Sequence, residues 1–204
     1  MAHRYMSIAE QSAILTGIAA YVAGYLTPEG FTYTPPIDDE HNHVLVGPNE
    51  AKLYISMEGD TKGDRIYIGG SFHIGKDRFG NPGSYVRPDN DPGTISVALK
   101  RGEEAIAREI RMRYLPKYLP ALAQARQKRD AQQAYRTARH ENLQKLQNLG
   151  GDMRKLDIDA ERGYLHIGEV YGHIEATNDS ASLELRCLTI QQAEAIIKLL
   201  KKIQ

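Results

Sequence analysis

The stretch Ile37-Asp-Asp-Glu-His-Asn-His43 packs three carboxylates and two imidazoles into seven residues. In an extended segment His41 and His43 would project to the same side. Asp39 or Glu40 could then complete the nitrogen and oxygen set that suits a transition metal, and with it a metal-dependent enzyme. The flanking residues argue for something plainer. Pro35-Pro36 precedes the stretch and Gly47-Pro48 follows it, which is the setting of a hydrated acidic loop, and no second cluster supplies an obvious fourth ligand. The expectation is a chain without cofactor, with His41 and His43 as weak metal candidates only.

Other catalytic patterns fail on particular residues. Gly70-Ser-Phe-His-Ile-Gly75-Lys76-Asp77 has the spacing of a phosphate loop until Asp77, which stands where a hydroxyl would hold magnesium and would itself repel phosphate. The turn-rich DRFGNPGSY follows it in place of a helix, so a strand end is the better reading. Arg139-His-Glu-Asn142 has one histidine where a zinc-binding helix needs two. No Gly-x-Ser-x-Gly elbow occurs, and Cys187 alternates with apolar residues, where a thiol acts as a small buried hydrophobe. The expectation is a protein that is not an enzyme.

Charge placement points to binding. Net charge is zero, yet residues 100–155 carry fourteen Lys/Arg against six Asp/Glu. Arg126, Lys128, Arg129, Arg136 and Arg139 concentrate positive charge along one polar helix, a pattern whose commonest target is phosphate. The plainer reading is a solvated helix whose charges answer acids of its own chain. A second surface would be a sheet face carrying Lys52, Tyr54, Arg65, Tyr67, His73, Ser96 and Lys100, where tyrosines stack bases and cations hold the backbone.

The elements that must position these residues follow from periodicity. Ser7-Ile-Ala-Glu10 has capping-box form and opens a helix with a stripe of Ile14, Leu15, Ile18, Val22, Tyr25 and Leu26. Gly17 and Gly24, seven apart, would let that helix approach a sheet. Alternating apolar residues mark strands at Leu53–Met57, Ile66–Ile74 and Ile95–Leu99. A helix then starts near Glu103 with Ile106, Ile110, Tyr114 and Tyr118 in line, and Pro116 and Pro120 should kink or restart it. Its continuation to Leu149 is polar almost all round, with Leu143, Leu146 and Leu149 as a short stripe that could serve a homodimer.

Past Gly150-Gly151, three short strands lead to a second capping box, Thr189 to Gln192, and a closing helix that should bury Ala193, Ile196, Ile197, Leu199 and Leu200. The expected fold class is α+β: two antiparallel βββα modules, possibly duplicated, joined by a long basic helix, with an N-terminal helix. The expected segments are 1–120, 121–150 and 151–204. One cysteine and an apolar run of 13 residues, Ile14 to Leu26, fit a cytoplasmic chain with no membrane partner, since a span needs about 20 residues.

The function expected is engagement of nucleic acid or a nucleoprotein assembly through the helix and the Tyr/Lys face. Two alternatives stand beside it. One is a protein-binding inhibitor or adaptor of phage or mobile-element type, such as an anti-defence protein, docking on an acidic partner. The other is the metal-dependent enzyme of Asp38 to His43.

Overall fold

The structure is a computed structural model that describes residues 6–36, 42–57, 64–75, 83–149, 160, 162–177 and 179–203. Helix α1, Ile8–Tyr25, begins at the expected capping box: the Ser7 hydroxyl accepts from the Glu10 amide at 3.2 Å, and the Glu10 carboxylate accepts from the Ser7 amide at 2.8 Å. Its buried side is Leu15, Ile18, Ala19, Val22 and Ala23, while Ile14 and Tyr25 are half-buried at the rim. Gly17 and Gly24 turn to solvent, against the expectation of a sheet contact there, and a side chain at Gly24 would meet nothing.

Five antiparallel strands follow in sequential order: β1 Thr32–Tyr33, β2 Asn42–Val46, β3 Lys52–Ser56, β4 Arg65–Gly70 and β5 Thr94–Ala98. The alternation in β3 and β4 is the one the sequence shows, with Leu53, Ile55, Ile66 and Ile68 buried and their neighbours half-exposed. Strands β1 and β2 add to the three expected. Helices α1 and α2, Gly102–Glu109, lie over the buried face with the beginning of α3, Leu115–Leu149, as far as Ala125.

A π-helical turn, Ile110–Tyr114, joins α2 to α3. Pro116 follows directly, and its ring would collide with the carbonyl four residues back in a regular helix; the wider turn relieves this. The helix therefore runs on through Pro120 instead of restarting. Ile106, Ile110, Tyr114 and Tyr118 are all buried, as their spacing implies, whereas Leu119 is exposed. Helix and sheet approach closely at Gly70, where an added Cβ would lie 2.1 Å from the Tyr118 ring.

By compactness the chain divides into residues 1–129 and 130–204, a boundary within α3. The second unit pairs β6 Gly163–Ile167, β7 Val170–Ala176 and β8 Ala181–Arg186 antiparallel in that order, followed by α4, Ile190–Ile203. Its small core is Leu143 of α3 against Leu165, Ile174 and Ala176, with Leu146 and Leu185 at the margin. Leu143 and Leu146 thus serve the fold of this unit. The capping box of α4 is formed, the Gln192 amide donating to Thr189 Oγ1 at 3.2 Å.

Two expectations fail in this unit. Ile197, Leu199 and Leu200 are exposed, and only Ala193 and Ile196 are half-buried, because no described element packs over the apolar side of α4. Cys187 is also exposed, with φ of 62°, since the strand ends at Arg186 and the backbone turns away. Among the described residues no helix is long and apolar enough to cross a membrane.

Candidate nucleic-acid interface

The side chains available for binding on the first unit are set by strand register. Val44 pairs with Tyr54, Tyr54 with Gly69 and Gly69 with Thr94, which makes one row across the sheet. Ser56, Tyr67 and Ser96 form the next row, and Val46 with Lys52 a third. Antiparallel partners share a face. Lys52, Tyr54, Arg65, Tyr67 and Ser96 are therefore brought together on the side opposite the helices, as the sequence suggests.

Tyr54 and Tyr67 are diagonal neighbours on adjacent strands, and such positions lie about 7–8 Å apart. Both rings are half-exposed. Gly69 beside Tyr54 has no side chain, and the Thr94 methyl lies 3.0 Å from where its Cβ would stand. Arg65 is held onto the face: its guanidinium donates to Ser96 Oγ at 2.7 Å and to the Ser96 carbonyl at 3.3 Å. Lys52 is half-buried beside Tyr54, with its backbone amide donating to the Tyr118 hydroxyl at 3.0 Å from the opposite side. Among the described residues of these rows there is no carboxylate.

The remaining members of the expected surface lie elsewhere. Lys100 sits in the short turn Leu99–Arg101 past the end of β5 and is exposed. His73 is exposed beyond β4, its Nδ1 at 3.0 Å from the Gly83 carbonyl and its ring against Tyr85. Missing from the expected list are Val44, Val46, Ser56 and Thr94. The alternation His43, Val44, Leu45, Val46 carries the period of a strand, but its acidic neighbours dominate the local composition and suggest a loop.

Tyr118 fixes the sheet beneath this face. Its hydroxyl also lies 3.1 Å from the Lys52 and Ser71 carbonyls, and burial pushes its pKa up to about 12. Tyr114 stacks on it and donates to the Gly93 carbonyl at 3.0 Å, its own pKa likewise raised by burial.

The basic helix is arranged differently from a free stripe. Glu50, in a left-handed turn with φ of 64°, receives Arg129 at 2.9 Å and Arg126 at 3.7 Å, and accepts the Gly75 amide at 3.1 Å. Lys128 pairs with Asp89. These three cations answer acids of their own unit. Farther along, Arg136 is exposed, and Arg139 is half-buried beside Tyr135, Glu175 and Thr177 of the second unit.

The metal cluster is also changed by the fold. His43 is fully buried on the core side of β2, with Nδ1 hydrogen-bonded to the Tyr33 hydroxyl, so it belongs to no solvated loop. Residues 37–41, including Asp38, Asp39, Glu40 and His41, lie outside the described residues. Among the described residues no three His, Cys, Asp or Glu come together as a metal site.

No protein-family model, curated protein or solved structure matches the chain. The functional reading therefore rests on this geometry.

Proposed function

We propose that the protein is a non-enzymatic binding protein that takes single-stranded nucleic acid on the open face of its first sheet. The observation that carries this reading is the pairing of Tyr54 and Tyr67 with Lys52 and Arg65 on rows that hold no carboxylate among the described residues. Unpaired bases stack on aromatic rings whatever their sequence, and nearby cations hold the phosphates. Hydroxyls at Ser56, Thr94 and Ser96 supply further hydrogen-bonding groups on the same rows. The cations of α3 contribute less than the sequence suggests, because Arg126, Lys128 and Arg129 have acids beside them.

The test is fluorescence anisotropy of labelled single-stranded DNA and RNA with the whole chain and with Tyr54→Ala/Tyr67→Ala. Stacking is worth about 1–3 kcal/mol per base, so each ring removed should weaken binding by about tenfold or more. Tyr54→Phe keeps the ring and should keep the affinity. Equal affinity of the double alanine variant and the parent would overturn the reading. Absence of binding at low salt would also overturn it and turn attention to an acidic protein partner for the same face.

A further inference from the structure

The second unit treats its two sheet edges unequally. In the β7–β8 hairpin the Thr177 amide donates to the Ser180 carbonyl at 2.8 Å, which makes that opposed pair a hydrogen-bonded one. Such pairs alternate along an antiparallel ladder, so Ser182, Glu184 and Arg186 point their backbone groups at β7, and Leu183 and Leu185 point theirs outward. By the same alternation Tyr164 of β6 faces outward at the other edge, and there the Gln147 side chain of α3 accepts its amide at 2.9 Å. One edge is thus capped by the chain itself. Among the described residues no side chain caps the outward groups of Leu183 and Leu185, and Leu183 is 56% exposed.

An open, six-residue edge strand is a template for another strand. Its charges select the partner. If β8 meets a second β8 antiparallel about Leu185, Glu184 of each copy stands opposite Arg186 of the other, and Leu185 stands opposite itself. Moving the centre of symmetry to Glu184 would set Glu184 against Glu184 and remove both attractions. Opposite charges across a ladder favour pairing and like charges oppose it. Glu184 and Arg186 are already turned toward each other within the strand, 2.9 Å apart, on the face that also carries Tyr171 and His173.

We propose that a second copy of this chain pairs along the C-terminal end of β8, joining the two three-stranded sheets into one and setting Leu185 of each copy opposite Leu185 of the other. Pairing satisfies the outward amide and carbonyl of Leu185 in each copy, and Leu183 falls opposite Cys187, just past the end of the strand. It is independent of the nucleic-acid reading, which concerns the other unit.

The test measures the mass of the whole chain by light scattering across a concentration series, for the parent, Glu184→Arg, Arg186→Glu and the double exchange. The expected result is a dimer for the parent, monomers for both single reversals, and a dimer again for the double exchange. A monomeric parent, or a dimer indifferent to the single reversals, would overturn the proposal. Amide hydrogen exchange of the parent supplies a readout free of substitution: exchange at Leu185 should slow as concentration rises. Exchange at this amide that does not change with concentration would contradict pairing.

Discussion

The five-stranded sheet is backed by a core that runs from Leu15 of α1 to Ala125 of α3, and its opposite face carries tyrosines, hydroxyls, two valines and two cations. The three-stranded sheet also shows tyrosines, but there the arginines are neutralised in place: Arg162 pairs with Glu175 at 2.6 Å and Arg186 with Glu184 at 2.9 Å. What this unit leaves exposed is apolar, with Leu183, Ile190, Ile197, Leu199 and Leu200 all more than half exposed. A small unit has too little interior to cover every apolar side chain. The difference separates two kinds of surface: aromatic rings and cations on rows with no carboxylate among the described residues in the first unit, and exposed apolar side chains in the second.

Substitutions in the two cores probe this contrast. Gly70→Ala should destabilise residues 1–129 by about 3 kcal/mol, because the methyl meets a Tyr118 ring that its own hydrogen bonds hold in place. Unit-resolved hydrogen exchange should show the loss there, with the second sheet unaffected. Leu143→Ala should cost the second unit about 2 kcal/mol, at the low end for a buried leucine, because half-exposed neighbours such as Leu146 and Leu185 can close in. A cost in the first unit as large as in the second would break the division.

Alkaline titration gives a third distinction. The buried, neutral Tyr118 has its pKa raised from the ordinary value of 10 to about 12, so its contribution is complete below pH 10 and is lost as pH rises through 12. Stability of the first unit to chemical denaturant should fall over that window, and less so in Tyr118→Phe. The smallest effect is expected for Ile197→Ser on the exposed side of α4, within about 0.5 kcal/mol in dilute solution. A larger loss by thermal melting would mean that the helix is covered after all.

Much of the frame is legible in local pattern. Both capping boxes, the alternation of β3 and β4, and the line Ile106, Ile110, Tyr114, Tyr118 depend on neighbours within a few residues, and each is realised. The Tyr54 and Tyr67 face was legible for the same reason, since period two places them together once the strands pair. Contacts between distant segments were not. The partners of Arg129 and Lys128 lie 79 and 39 residues away, at Glu50 and Asp89, and no periodicity announces them. His43 misleads by composition, standing beside acids in the chain while its strand carries it into the core. The closing helix misleads by its amphipathic pattern, which implies burial but does not say that the covering surface lies within the same chain.

The most direct test of the nucleic-acid face is the salt dependence of single-strand binding, compared between the parent, Lys52→Gln/Arg65→Gln and Arg126→Gln/Lys128→Gln/Arg129→Gln. Each phosphate neutralised releases its condensed counterions and contributes about 0.7 to the log–log slope for a single strand. The account predicts that the sheet-face pair lowers the slope by about 1.4, while the helix triple leaves it nearly unchanged. A slope unaffected by Lys52 and Arg65, or one that collapses with the helix triple, would contradict it.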